Sequence, residues 1–284
     1  MKRWLILVTA LGLAGCAAMF DRAATGFAHD LEAAIRAYDE PETVGSGLPA
    51  YLLLMEARLQ SSPNDAGLRL TTARLTATYA TLFADDDRDD VRRRLTARAF
   101  EHARIGACSH ADRLCQLDQL DFDAFDQAMP RLQGRDLEPV YVLATTWTSW
   151  IAAHSDDFAA LADLPRVEAL LDWVTEQDPA HDDGAAWLYL AVLNSQRPPA
   201  AGGQPARAKR YFEQARDYSR GRNLLVNVMM ADSYARLLFE RELYVSLLKQ
   251  VLDADPSDPD YALINQVARS RARVMLDQTE AIFD

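Results

Sequence analysis

Motifs of well-known enzyme classes are missing from this sequence. It contains no GxSxG nucleophile elbow, no HExxH zinc helix, no P-loop and no CxxC pair. Its five histidines are scattered, and without partners at fixed spacing each is typical of a surface or core residue. A hydrolase with its site spread along the chain would need an activated nucleophile, and none can be identified. We therefore expect a protein that is not an enzyme and that holds no cofactor and no metal.

Two stretches match a binding motif only loosely. VGSGLPA (44–50) satisfies GxGxxA, but no apolar strand precedes it and Pro49 is expected to open the next helix. DDDRDD (85–90) is rich in carboxylates, yet it lacks the Gly and the twelfth-position Glu of a calcium-binding EF-hand. The first stretch does not predict a dinucleotide site, and the second is typical of a solvated turn before a helix.

Basic residues are too few to balance the acidic ones. Lys and Arg number 30 against 42 Asp and Glu, which gives a net charge of −12. Loss of residues 1–15, with Lys2 and Arg3, would leave 28 basic residues against 42 acidic ones, a net charge of −14. Such a surface repels phosphate groups, so neither nucleic acid nor anionic lipid is the expected partner.

Long apolar runs are also scarce, and the single run near the start is short. It extends from Trp4 to Leu13, about half of the roughly 20 residues that a membrane span needs. With basic residues before it and small residues after it, this run is typical of a secretory signal. LAGC (13–16) resembles the lipobox of bacterial lipoproteins, which implies an acylated Cys16; the alternative is a plain signal peptide with an incidental cysteine. By the same resemblance, Ala17 favours the periplasmic face of the outer membrane.

The chain is accordingly divided into three parts. Residues 1–15 are the predicted signal peptide, residues 16–26 the acylated N-terminus and tether, and residues 27–284 one folded domain. Cys108 and Cys115 are the remaining cysteines, and in an oxidising compartment they favour a disulfide. Free thiols or a metal site with His110 and His102 are the alternatives, although zinc sites usually show tighter paired spacing.

Period-two alternation is absent over any length that would predict a strand. Apolar residues recur instead at spacings of three and four, with Gly and Pro between the segments. The pattern predicts an all-α protein with helices at 27–38, 49–60, 66–84, 87–107, 118–128, 136–154, 160–176, 182–195, 204–219, 222–239, 241–253 and 259–282. SSPND (61–65), EQDPAHDD (176–183) and DADPSDPD (253–260) each end one helix and offer Asp or Asn to cap the next.

Such Pro- and Asp-containing breaks between helices are typical of helical-hairpin repeats. In the tetratricopeptide pattern Trp187, Leu190 and Ala191 fit the first helix, while Ala208, Phe212 and Ala215 fit the second. Ala231 and Tyr234 fit the first helix of a further repeat. An earlier repeat at 66–107 fits poorly, with only Ala99, Ala103 and Gly106 in register. We expect tetratricopeptide-like repeats in a compact superhelical bundle, an unrelated helical bundle being the alternative.

Two groups of residues could line a passage for a ligand. Trp147 and Trp150 lie on one helix in YVLATTWTSWI (141–151), where they either pack in a core or give a pocket an apolar wall. Asn227 and Asn265 interrupt apolar runs, and each either bonds a neighbouring helix terminus or faces a ligand. These four residues are the candidate lining of a channel.

The order of segments resembles a known family. DLPRVEALLDWVTEQDP, ARAKRYFEQA, SRGRNLL and NQVARSRA are similar to the T component of TRAP (tripartite ATP-independent periplasmic) transporters, which are periplasmic tetratricopeptide lipoproteins. The similarity extends over residues 27–283 and is densest after residue 140. It implies a non-enzymatic accessory protein that binds the transporter's solute-binding protein. It also implies a trimer with a channel in each subunit that meets the ligand cleft of that partner.

The leading hypothesis is therefore a lipid-anchored periplasmic adaptor of TRAP-type uptake that passes an apolar or amphipathic ligand. The alternative hypothesis is a repeat scaffold of an outer-membrane or envelope assembly without any ligand.

Overall fold

The computed structural model describes residues 31–84, 89–195 and 204–284. The predictions for the signal peptide, for Cys16 and for the tether concern residues outside these ranges. Residues 85–88 of the DDDRDD stretch and the loop 196–203 also lie outside them. Throughout the described ranges the chain forms helices and no strand, which confirms the predicted all-α class.

The helices follow one another with short connections. They are α1 (31–37), α2 (Pro41–Ser61), α3 (Ala66–Leu82), α4 (Asp89–His110), α5 (Phe122–Ala128), α6 (Leu137–Ala153), α7 (Phe158–Leu161), α8 (Leu164–Gln177), α9 (Ala185–Asn194), α10 (Pro205–Tyr218), α11 (Leu225–Met230), α12 (Arg241–Asp253), α13 (Ala262–Asp277) and α14 (Thr279–Phe283). Short 3-10 turns lie at Asp112–Leu114, Met129–Arg131, Gly134–Asp136 and His181–Gly184, and a π-helical turn at Ala231–Ala235 follows α11.

Successive antiparallel helix pairs build the architecture. The pairs are α3 with α4, α6 with α8, α9 with α10, and α11 with α12, and α13 packs on the last pair. The first helix of each pair also contacts the first helix of the next pair, from α3 to α6, α9, α11 and α13. This pattern is that of tetratricopeptide-like repeats, in which first helices form an inner layer and second helices an outer layer.

Small residues allow the paired helices to approach closely. Ala191, Ala208 and Ala215 are each at most 2% exposed where α9 meets α10. In the α3–α4 pair, a Cβ added to Gly106 would lie 3.0 Å from the Cβ of Arg69 and from Leu70. The stretch 66–107 therefore forms a tight hairpin even though its residues fit the repeat pattern poorly.

Two large hydrophobic cores lie along the superhelix. The first is built mainly from α3, α4, α6 and α8, and the second from α10 to α13 with the end of α9. Trp187 packs against both cores, and its indole N–H donates to the Pro179 carbonyl at 2.9 Å. Burial of these apolar side chains is the main stabilising contribution to the fold.

The two ends of the superhelix meet. Helix α13 contacts α2, and the Arg271 guanidinium donates to the Thr81 carbonyl at the end of α3, with a distance of 2.7 Å. These residues are 190 positions apart in the sequence. The inner helices therefore line a common space.

Some predicted boundaries were wrong. The helix expected at 49–60 begins at Pro41 and runs through Pro49, because Val44, Leu48 and Leu52 continue its buried stripe. The helix expected at 222–239 is α-helical only over Leu225–Met230 before the π-helical turn, and the one expected at 259–282 divides into α13 and α14.

The predicted caps are confirmed in one case of three. Asp65 accepts a hydrogen bond from the Leu68 amide at 3.0 Å and caps α3. Gly184 and Tyr261 precede α9 and α13, however, and neither helix has a side-chain cap. The acidic residues of the turn before α9 bond tyrosines instead.

Candidate functional site

A cavity of about 280 Å³ lies between the inner helices and is open on one side. Helices α1, α3, α6, α9, α11 and α13 all contribute side chains to its wall, so it follows the axis of the superhelix. The wall is apolar over much of its area, and its buried part includes Leu75, Tyr141 and Leu263. A concave, mostly apolar space with a few convergent polar groups is the usual form of a small-molecule site.

Four exposed lining residues form one acidic mouth of this cavity. They are Arg36, Asp182, Asp183 and Asp260, which we call the mouth. Asp182 and Asp183 have positive φ angles of 49° and 53°, and Gly184 follows at 76°. Non-glycine residues in this left-handed region cost roughly 1–2 kcal/mol each, and such strain clusters at functional sites.

Two tyrosines hold the adjacent carboxylates of the mouth. The Tyr141 hydroxyl of α6 donates to Asp182 Oδ2 at 2.6 Å, and the Tyr261 hydroxyl before α13 donates to Asp183 Oδ2 at 2.8 Å. Burial, reinforced by Asp182, raises the pKa of Tyr141 well above its usual value, and burial with Asp183 raises the pKa of Tyr261. Both phenols therefore stay protonated and remain donors at neutral pH.

Gly184 keeps this turn close to α10. A Cβ added to Gly184 would lie 2.4 Å from the Cβ of Tyr218, far inside van der Waals contact. Only glycine combines the left-handed backbone with this close approach.

Arg74 of α3 is the cation beside the inner wall. It donates to Glu32 of α1 at 3.2 Å and to Glu138 of α6. Burial opposes its charged form, but Glu32, Tyr141 and Asp182 outweigh that effect and the pKa of Arg74 rises. Arg74 is therefore a fixed charge that ties α1, α3 and α6 together around the cavity.

Tyr189 of α9 differs from the other two cavity tyrosines. Burial, with the nearby Asp182 charge, raises the pKa of Tyr189 to about 12. Within the described part of the chain, the structure records no hydrogen bond for its hydroxyl. Tyr189 packs against the first core and lines the cavity.

Comparison with models of protein families identifies the family of this chain. The model described as TRAP transporter T-component matches residues 37–283. The chain belongs to this T-component family. The match covers nearly all of the described structure and confirms the resemblance in the sequence. A comparison with curated proteins finds no match.

In this T component, neither predicted tryptophan lines the cavity. Trp147 is 0% exposed in the first core, where it stacks on Phe100 with ring centroids 5.3 Å apart. Trp150 stacks on Phe100 and on His154. The same helix α6 instead gives the cavity Tyr141, Thr145, Thr146 and Ser149.

The two predicted asparagines also lie outside the cavity lining. Asn227 donates to Gln250 Oε1 at 3.5 Å near the protein surface. Asn265 is fully buried and bonds both the Leu224 amide and the Arg222 carbonyl at 3.0 Å. Asn265 therefore hydrogen-bonds the polar backbone groups just before α11, which is the first of the two roles that its place in an apolar run predicts.

Cys108 and Cys115 are joined in a disulfide in the T component, with Cα atoms 4.3 Å apart. The bond links the last turns of α4 to the residue that directly follows the 3-10 turn Asp112–Leu114. In the described residues, no group of three or more His, Cys, Asp or Glu is arranged to hold a metal ion. The same residues include no helix with the length and apolar character of a membrane span.

The residues that matter most at the mouth were missed by sequence reasoning. The sequence predicts only that an Asp of EQDPAHDD (176–183) caps the next helix, because Asp before a helix is usually a cap. Gly184 was the available signal, since a Gly directly before a helix can mark a left-handed turn. The partners Tyr141 and Tyr261 lie 41 and 78 residues away, a distance that local patterns do not reach.

Proposed function

We propose that this T component is a lipid-anchored periplasmic adaptor of a TRAP-type uptake system. In this role it binds the solute-binding protein and exchanges a small ligand with it through the central cavity. The observation that carries the proposal is the cavity on the axis of the repeats, in a chain that belongs to a transporter family. The family is that of an accessory transporter component, and no catalytic step is proposed.

The geometry supports a ligand that enters with its polar end toward the mouth. Leu75 and Leu263 give the interior apolar walls, while Asp182 and Asp183 concentrate polar atoms at the opening. An amphipathic molecule matches this division, because its tail leaves water while its head keeps polar partners. Docking of the solute-binding protein over the mouth would let a ligand pass without full exposure to water.

The N-terminal acyl chains would hold this adaptor at the outer membrane, on its periplasmic face. A single acyl chain binds a membrane only marginally, whereas two or more give stable anchoring. Cys16→Ser should therefore release a folded protein into the soluble periplasmic fraction. Continued sedimentation of this variant with membranes would contradict anchoring through Cys16. A trimer, as the family resemblance implies, belongs to the same proposal and is testable by native mass spectrometry.

Site-specific cross-linking tests the docking step. A photoreactive amino acid at position 260, in the mouth, is compared with one at position 126, which is exposed on α5 outside the cavity lining. We expect position 260 to capture a TRAP-type solute-binding protein in the periplasm, identified by mass spectrometry, and position 126 to capture little. Equal capture at both positions would contradict docking over the mouth. Envelope-assembly factors without any solute-binding protein would refute the adaptor role and favour a scaffold.

A further inference from the structure

The central cavity has an excess of negative charge. Its described lining includes four carboxylates and two guanidiniums, which belong to Glu32, Asp182, Asp183, Asp260, Arg36 and Arg74. In a partly desolvated space such an imbalance is weakly screened and disfavours an anion. The charge of the lining is therefore complementary to a cation.

The two guanidiniums of the lining differ in how closely carboxylates hold them. Arg74 bonds both Glu32 and Glu138, so an anionic ligand would have to displace one of them. Arg36 is half exposed, and its Nη1 lies 4.0 Å from Asp182 Oδ1. Arg74 therefore presents no unused donor fork to the cavity of the kind that binds a carboxylate ligand, whereas Arg36 lies at the exposed mouth with this one long ion pair.

Two carboxylates of the mouth, those of Asp182 and Asp183, have capacity to spare, whereas Asp260 accepts from Arg222 at 2.9 Å. Asp182 and Asp183 each accept one short hydrogen bond from a tyrosine, through Oδ2 in both cases. The other oxygens have only long ion pairs, 4.0 Å from Asp182 to Arg36 and 3.9 Å from Asp183 to Arg222. An ionised carboxylate accepts about four hydrogen bonds, so both can accept from a ligand.

An aromatic ring lies beside these carboxylates. Arg74 lies over the ring of Tyr141 at 5.9 Å, and Arg222 lies over the ring of Tyr261 at 5.0 Å. Tyr189 also lines the cavity, and the described structure records no cation over its ring. Cations within about 6 Å of a tyrosine ring are attracted to its face.

We propose that the ligand of this cavity is an organic ammonium compound with an apolar tail, which rests on the proposed function because it specifies the molecule exchanged there. Its ammonium group donates to Asp182 and Asp183 and lies near the face of Tyr189. Its tail fills the space beside Leu75 and Leu263. The two consecutive aspartates at positive φ place both of their carboxylates in the cavity lining, where such a group would meet them.

Calorimetry with three probes of equal chain length tests the assignment. The acylated full chain, in nanodiscs of uncharged phosphatidylcholine, is titrated at pH 7 with n-hexylammonium, n-hexanol and n-hexanoate, with empty nanodiscs as the blank. We expect n-hexylammonium to bind at least about tenfold tighter than n-hexanol, because charge-assisted hydrogen bonds contribute more than neutral ones. Hexanoate should bind most weakly.

Variants identify the groups responsible. Asp182→Asn should weaken n-hexylammonium about tenfold and leave n-hexanol unchanged, and asparagine suits the left-handed backbone at this position. Tyr189→Leu should weaken n-hexylammonium by about threefold. Asp126→Asn, the matched control on α5, should change neither affinity. A thermal melt checks that each variant is folded. If a variant does not fold, the order of affinities of the three probes for the unaltered chain decides whether the ligand is an ammonium compound.

Several results would overturn the assignment. They are tightest binding of hexanoate, equal binding of all three probes, no binding of n-hexylammonium, or full affinity in the folded Asp182→Asn variant. Selective n-hexylammonium binding without capture of a solute-binding protein at position 260 would refute the adaptor role alone. Capture without ammonium selectivity would refute the ligand class alone.

Discussion

Gly184 and Gly221 form a natural pair for testing the turn at the cavity mouth. Their φ angles are 76° and 70°, so both are in the left-handed region that disfavours a side chain. A Cβ at Gly184 would lie 2.4 Å from the Cβ of Tyr218, whereas a Cβ at Gly221 would meet nothing within 4 Å. Alanine at the two positions therefore imposes the same backbone cost but a very different steric cost.

The expected magnitudes follow from these two contributions. Gly221→Ala should lower the free energy of unfolding by roughly 1 kcal/mol, the cost of alanine in the left-handed region. Gly184→Ala should lower it by that amount and by a further 1–3 kcal/mol, roughly, because overpacking shifts α9 against α10. The nearest atom is the Cβ of Tyr218, which no side-chain rotation can move away.

Urea unfolding followed by far-UV circular dichroism measures both values. The dependence of the unfolding free energy on urea should be unchanged, so that the shift in midpoint reports stability. For a chain of this size each kcal/mol corresponds to about 2–4 °C in melting temperature. Equal destabilisation by the two substitutions would refute the steric argument and would mean that the turn and α10 separate easily.

Three other perturbations have defined outcomes. Asp136 is fully buried and paired with Arg113, so Asp136→Asn should cost roughly 3 kcal/mol at pH 7 in urea unfolding. Burial alone would raise the pKa of Asp136, but Arg113, with the Gln133 amide and His110, lowers it. The contribution of the pair should therefore be complete above about pH 4 and lost as pH falls through the lowered pKa, and an undiminished difference at pH 2 would contradict this. Replacing Cys108 and Cys115 together with serine should cost about 2–3 kcal/mol, from the entropy of a short loop, and a loss below 0.5 kcal/mol, roughly, would exclude that role. Asn265→Ala leaves a buried backbone N–H without its acceptor and should cost about 2 kcal/mol, with native circular dichroism retained at low temperature.

The repeats could be predicted because their determinants are local. Leu190 and Ala191 of α9 and Phe212 of α10 are buried as the repeat pattern requires, and the spacing between them is short. Helix type follows from the same three- and four-residue periodicity. The helix expected to start at Pro49 starts earlier. Proline usually begins a helix, but here the buried apolar stripe extends upstream of it.

The lining of the cavity could not be predicted in this way. Helix α6 is buried around most of its circumference, so its sequence does not reveal which side faces the axis and which faces the outer helices. Its tryptophans attract attention, yet they stack toward α4 through Phe100, while Tyr141 and Thr145 face the cavity. That choice depends on how the whole superhelix closes, which is a long-range property.

The contact between Arg271 and Thr81 has a consequence for folding kinetics. A repeat array forms mostly from contacts between neighbouring repeats, but this hydrogen bond joins residues 190 positions apart. The loss of chain entropy on closing so long a loop is offset only after the intervening repeats have formed. We expect the contact to form late in folding and to open first in native-state hydrogen exchange, well below the free energy of global unfolding. Opening of this contact would give the cavity a transient side entrance between α3 and α13. The rate of that local opening would then set the rate at which a molecule enters by this route.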